Sequence, residues 1–283
     1  MKRIGWAVLL LVSGWAVESK AQRPDELLQQ AAVYRRMPHA LAQPDSVRHL
    51  DLSWHGLGRL PAGVVRLPQL QHLDASRNVI DSVQLDLHKL AHLRHLNLAH
   101  NSLRHVPDAL GRIASLHHLD LQDNLIRQLP ASLVGLHQLQ ELDLSFNPLN
   151  AATEILGSLP ALEVLRLQGC GLTEWPLQLI SPQLRVLDLQ TNRLRQLPDV
   201  LSQCPELQVL NASYNQLTEL PTDLSAWTSL KRLHLRKNQL RDLPESLYSL
   251  HNLEFLDLRQ NPQLSRACRD RLRSAFPKAK LLF

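Results

Sequence analysis

Residues 116–126 read Leu116-His117-His118-Leu119-Asp120-Leu121-Gln122-Asp123-Asn124-Leu125-Ile126. The spacing Leu-x-x-Leu-x-Leu closes on an alternation of period two, which belongs to a strand with Leu119 and Leu121 pointing to the same side. Asn124 follows where the chain turns out of that strand. A buried amide offers two donors and an acceptor to backbone groups of the turn. Leu129-Pro130 then opens a return in which Leu129, Leu133 and Leu136 recur at about the spacing of a short helical or 3-10 segment. One such unit cannot bury both of its sides, so it needs neighbours of the same kind.

The neighbours are present. Repeats start at Val47, Leu70, Leu93, Leu116, Leu139, Leu162, Leu184, Leu207, Leu230 and Leu253, every step 23 residues except the 22 from Leu162 to Leu184. The first reads Val47, Leu50, Leu52, His55, Leu57 and then Leu60-Pro61. The amide position holds Asn78, Asn101, Asn124, Asn147, Asn192, Asn215, Asn238 and Asn261, and departs from Asn at His55 and Cys170. Ala152-Thr153 and Trp175-Pro176 replace Leu-Pro in the fifth and sixth repeats, which suggests a local kink between residues 150 and 183. Over residues 47–264 the chain resembles the leucine-rich-repeat superfamily in its 23-residue Leu-Pro-x-x-Leu-x-x-Leu variety, common to scaffolds and to bacterial secreted, surface or effector proteins. Pattern and resemblance agree on an α/β solenoid, a curved horseshoe. About ten parallel strands on its concave face make a sheet about 43 Å long, and the returns lie on the convex face.

Both ends of such a sheet need covers. Pro24-Asp25-Glu26 looks like a helix start, with Leu27, Leu28, Ala31 and Tyr34 on one side and Pro38 as its stop, so residues 22–46 are expected to form a helical cap. Ser265 is placed to cap a helix carrying Cys268, Leu272 and Phe276, with Lys278–Phe283 as a last strand, so 265–283 form a helix-strand cap. Ahead of both, Met1-Lys2-Arg3 is positive and Ile4–Val17 is apolar or small, too short to span a bilayer, which needs ~18–20 residues. Residues 1–21 therefore read as a secretory signal, cut after Ala21 or, as the second choice, after Ala16. The mature chain is expected to be secreted or periplasmic, without a membrane span, and monomeric.

Charge excludes one class of partner. The net +5 comes from the signal and from Arg266, Arg269, Arg271, Arg273, Lys278 and Lys280 in the final cap, leaving 22–264 slightly acidic. A nucleic-acid binder would carry its cations along the binding face. The 3 cysteines, Cys170, Cys204 and Cys268, are far apart, without metal-ligand or disulfide spacing, and read as small buried apolar residues. Neither a phosphate loop nor a hydrolase or metalloprotease motif is present, and no cofactor is expected. Catalysis in this family would be expected from an appended domain.

The open face carries the candidate binding residues. His49, His72, His95 and His118 occupy the third position of four consecutive repeats and should stack as a column, with Asp51, Asp74, Asn97, Asp120 and Asp143 beside them at the fifth. Such imidazoles suit a transition metal, or joint protonation near the ~6.5 of free imidazole; the plainer reading is a solvated ladder with Asp partnering His across strands. Trp54, Phe146, Tyr214, Arg232, His234, Arg236 and Phe255 complete the set, with Val164, Val186 and Val209 midway. Aromatic and Arg side chains dominate interface hot spots, and a face that changes along its length suits a protein or extended peptide. The function expected is protein binding outside the cytoplasm; the alternative is a bacterial effector or surface factor acting on a host protein.

Overall fold

The computed structural model describes residues 32–149, 154–174, 181–197, 201 and 204–283. The signal segment, the start of the first cap and the Leu-Pro replacements at 152–153 and 175–176 lie outside these residues. Each Leu-x-x-Leu-x-Leu run supplies a three-residue strand: β2 (His49–Asp51), β3 (His72–Asp74), β4 (His95–Asn97), β5 (His118–Asp120), β6 (Glu141–Asp143), β7 (Val164–Arg166), β8 (Val186–Asp188), β9 (Val209–Asn211), β10 (Arg232–His234) and β11 (Phe255–Asp257). With β1 (Val33–Tyr34) and β12 (Lys280–Leu282) they form one parallel 12-stranded sheet in strict chain order. Register follows repeat position, so His72 lies opposite His95 and Leu73 opposite Leu96. Across the 22-residue step Val164 still pairs with Val186.

The core is a leucine stack on the other side of that sheet. In the fourth repeat Leu116, Leu119, Leu121, Ile126, Leu129, Leu133 and Leu136 are all buried. Behind them the chain returns in 3-10 turns such as Asp108–Arg112, Ala131–Gly135 and Glu245–Ser249. The proline of each Leu-Pro starts its turn: Pro107, Pro130 and Pro244 have φ of −64°, −73° and −66°, and their carbonyls accept from Leu110, Leu133 and Leu247. A fixed φ and a missing N–H cost nothing at that place. Trp227 takes a core leucine's place on a return, and its Nε1 donates to the Leu201 carbonyl at 2.6 Å.

The two caps differ from one another in how well the sequence announced them. Helix α2 (Arg266–Ala275) is capped by the Ser265 hydroxyl, which accepts from Cys268 N at 3.1 Å, and buries Cys268 and Leu272 before β12. At the other end the expectation of a helix running up to Pro38 fails. Tyr34 sits in β1, paired with β2, and helix α1 (Met37–Ala42) begins where the helix was expected to stop. Pro38 stands in its first turn, where no N–H bond is lost. The open edge of β2 needs backbone partners more than it needs a helix, and Val33–Tyr34 supply them. Gly63 lets α1 sit close: a Cβ there would fall 2.8 Å from Met37 Cε and 2.9 Å from Leu41 Cδ1.

Candidate binding face

Below the face, the asparagines hold the rungs together. Asn124 Nδ2 donates to the Leu98 carbonyl one repeat back and to the Leu121 carbonyl of its own, both at 3.0 Å, while Oδ1 accepts from Leu103 N at 3.0 Å. Asn78, Asn101, Asn147, Asn192, Asn215, Asn238 and Asn261 all bridge in this way, donating to the carbonyl ending the previous strand. Cys170 makes the weaker bond, Sγ to the Leu144 carbonyl at 3.3 Å. An amide acceptor is not needed there, because Leu149 N already donates to the Asn147 carbonyl at 2.8 Å. His55, at the first rung, takes no ladder role and instead gives its own N–H to Asn78 Oδ1 at 3.0 Å.

The fifth position has a role that sequence reasoning missed. Oδ1 of Asp51, Asp74, Asn97, Asp120, Asp143, Asp188, Asn211 and Asp257 accepts from the backbone N–H two residues on, at 2.9–3.1 Å. This is the Asx turn, a short polar side chain closing its own backbone where the strand ends. Asp or Asn at eight of ten fifth positions was the available signal. One oxygen of each of these side chains thus closes its own turn, while Asp51 and Asp74 also act on His49 through their charge.

The histidines do form a column, but a buried one. His72 and His95 stack at 3.9 Å and 11°, His95 and His118 at 4.2 Å and 8°, and His49 is tilted 33° at 5.5 Å. Rings at strand spacing cover one another, leaving His72 only 7% and His95 9% exposed. Burial, reinforced by neighbouring imidazoles, lowers the pKa of His72 to about 3 and that of His95 further; burial also lowers His49. Burial of His72 and His95 thus opposes joint protonation of the column near 6.5. Parallel rings aim their nitrogens side by side, and among the described residues no three His, Cys, Asp or Glu side chains converge as a metal site. His118 ends the column against Glu141, 3.5 Å away, and Arg166 approaches the same carboxylate at 3.8 Å. Burial opposes ionisation of Glu141, yet the bond from His118 and the Arg166 guanidinium hold its carboxyl below the usual range.

Beyond that polar cluster the column changes character. Val164, Val186 and Val209 form an apolar cluster separate from the core, and Arg232 and Phe255 follow. His234 lies 4.7 Å from the Phe255 ring, and burial lowers its pKa to about 4. Among the fifth-position acids, burial raises Asp188 to about 6 and pushes Asp74, Asp120 and Asp143 up. The same cause pushes the thiols up, Cys170 to about 12 and Cys204 to about 11.

The eighth position, just before the ladder asparagine, was also misjudged. Trp54, Arg77, His100, Asp123, Phe146, Thr191, Tyr214, Lys237 and Gln260 are all left-handed, φ between 52° and 61°, with Gly169 at 66° in the sixth repeat. The turn imposes this conformation on whatever residue arrives, at about 1–2 kcal/mol for an L residue. Their side chains consequently stand on the rim of the face, not on its floor. Trp54 is 72% exposed beneath the Arg77 guanidinium, 5.0 Å from the ring centroid. Phe146 lies over Gly169, where a Cβ would come within 2.7 Å of its ring. Tyr214 is flanked by Arg236 and Lys237 at 5.6 and 5.2 Å. No residue type marks the position in sequence, so only the geometry finds it.

Stacked rungs with a continuous open face define a repeat-built interaction surface. Family models described as leucine rich repeat match residues 68–126, 91–149 and 160–217, and those described as leucine rich repeats (2 copies) match 205–243 and 228–268. The chain belongs to the leucine-rich-repeat family. No curated protein matches it. Among solved structures, a leucine-rich-repeat protein of Leptospira interrogans superposes with a TM-score of 0.54 at 21% identity, covering 89% of this chain and 100% of that one. An internalin of Listeria monocytogenes gives 0.65 at 20% identity, over 83% and 74%. The ectodomain of the Arabidopsis thaliana receptor kinase GASSHO1/SCHENGEN3, solved in complex with Casparian strip integrity factor 2, gives 0.55 at 28% identity over 71% of this chain and 28% of that one. The fold is a typical protein-protein interaction module, and the family's members are generally non-catalytic scaffolds. Among the described residues no helix is long and apolar enough to cross a membrane.

Proposed function

We propose that the chain is exported and acts as a non-catalytic module that holds a protein or extended peptide against its concave face. The observation that carries this reading is the third-position column, which passes from stacked imidazoles through the His118, Glu141 and Arg166 cluster to the valine cluster and on to Arg232 and Phe255 on one continuous sheet. A surface of changing chemistry several rungs long matches an extended ligand better than a small molecule. The plant receptor ectodomain, bound to its factor, supports the same use of a similar fold. Export rests on the positive, apolar and small-residue order of residues 1–21.

Two measurements test it. Mass spectrometry of exported protein is expected to show a mature chain beginning at Gln22, or at Val17 on the second cut; a full-length chain kept in the membrane would remove the export reading. Affinity capture with wild type and with an Arg232→Glu/Arg236→Glu variant is expected to yield a partner that the variant loses. A captured partner indifferent to this variant and to Val186→Glu would place binding elsewhere.

A further inference from the structure

The exposed large apolar side chains are not scattered. Of the six in the described residues, four stand at the eighth or tenth position of the turn that leaves the strand: Trp54, Val79, Leu125 and Phe146. They fall in the first, second, fourth and fifth repeats and are 72%, 60%, 44% and 42% exposed. Rungs are about 4.8 Å apart, so the strip runs about 19 Å along one rim of the solenoid. In the later repeats the same two positions hold Gly169, Gly171, Thr191, Arg193, Tyr214, Gln216, Lys237, Gln239, Gln260 and Pro262, and among the described residues none of these is a strongly exposed large aliphatic or Phe or Trp side chain. Exposed apolar groups gathered in this way mark an interaction surface.

Charge on the strip narrows what covers it. Between Leu125 and Pro148 lies a shallow groove walled by Arg104, His105 and Arg127. Arg104 and Arg127 are exposed, and neither forms an ion pair with a described residue. Of the acids that follow the strands of the second and fourth repeats, Asp123 is engaged by His100 Nδ1 at 2.8 Å and Asp81 Oδ1 accepts from the Ser82 hydroxyl at 2.9 Å. Farther along, Arg77 covers Trp54. Unpaired guanidinium groups walling a groove beside Leu125 call for a ligand that brings a carboxylate into the groove and apolar side chains over Leu125 and Phe146. A groove also favours an inserted side chain over a flat lipid surface.

We propose that the rim of repeats one to five is a second docking surface, separate from the concave face, for an extended acidic segment of a partner protein with alternating apolar and carboxylate side chains. An extended segment rises ~3.4 Å per residue, so five or six residues cover the strip.

The test is fluorescence anisotropy on the full chain with three probes: a labelled eight-residue peptide of alternating Leu and Glu, its Leu-Lys counterpart, and vesicles of phosphatidylglycerol. The Leu-Glu peptide is expected to bind, weakening about tenfold in Arg104→Gln/Arg127→Gln and in Leu125→Ser, with Arg232→Gln/Arg236→Gln changing it less than about twofold. The altered side chains are exposed, and circular dichroism on each variant is expected to match wild type. No binding of the Leu-Glu peptide, equal binding of the Leu-Lys peptide, or loss only in the concave-face variant would overturn the proposal. Rim-dependent binding of the vesicles in place of the peptide would overturn it in favour of a lipid surface.

Discussion

A single asparagine illustrates how much of the fold rests on local hydrogen bonding. Replacing Asn124 with Ala leaves the N–H of Leu103 inside the stack without its partner and takes one of two amide donors from each of the carbonyls of Leu98 and Leu121, which keep Asn101 and Asn147. An unsatisfied buried polar group costs about 1–3 kcal/mol, so the loss should come to about 1–3 kcal/mol in a denaturant melt. The left-handed turns make the opposite prediction. Thr191 is β-branched at φ 59°, a conformation that branched residues avoid and Asn tolerates. Thr191→Asn should therefore raise the unfolding midpoint, by about 0.5–1 kcal/mol of stability, while Gln260→Asn, unbranched at the same place, should change little. The asparagine ladder was legible because its residue recurs. The left-handed column was not, because the backbone of the turn selects the conformation and any side chain can pay for it.

At the scale of the strand, periodicity told which side chains line up but not how deeply their neighbours bury them. The His49, His72, His95 and His118 register followed directly from the repeat. The stack of His72 on His95 removes water from both, and that loss depends on ring orientation, which spacing does not encode. The consequence for stability has a definite sign. His72 titrates near 6.5 when unfolded and about 3 when folded, and His95 shifts the same way, so the unfolded chain binds more protons between these values. Stability present at pH 7.5 is then progressively lost as pH falls below 6.5. The raised pKa values of Asp188 and Asp120 act in the opposite sense, since the folded state binds their protons first. Substituting His95→Gln isolates the first effect. The urea midpoint of the variant should fall less between pH 7.5 and 5 than that of wild type, and parallel pH profiles would show that the stack does not control it.

For the whole molecule, each repeat leans only on its neighbours, so damage should stay near where it is made. Leu119 is buried in the middle of the leucine stack, and Leu119→Ala should cost about 2–5 kcal/mol through lost burial and the cavity left behind. Hydrogen exchange should speed most in β4, β5 and β6 and least in β11 and β12; a uniform rise along the chain would mean that the solenoid unfolds as one unit. The architecture itself was readable from eleven residues and a period. The end of the first cap was misread because, among the described residues, an edge strand and a short helix stand where one helix was expected to run up to Pro38, and a proline in a first turn looks the same in sequence as one at a helix end.

The chain-order sheet also has a mechanical meaning. Every strand from β2 to β11 is gripped only by the strand before it and the strand after it. A force applied at the two ends meets no long-range clasp, and should strip rungs singly from whichever end yields first. Each rung gives back a 23-residue loop, the one between Leu162 and Leu184 giving 22. At ~3.4 Å per residue that is about 78 Å of slack for each step of a pulling trace. The molecule behaves as a spool that pays out equal lengths of thread, and its extension counts the repeats.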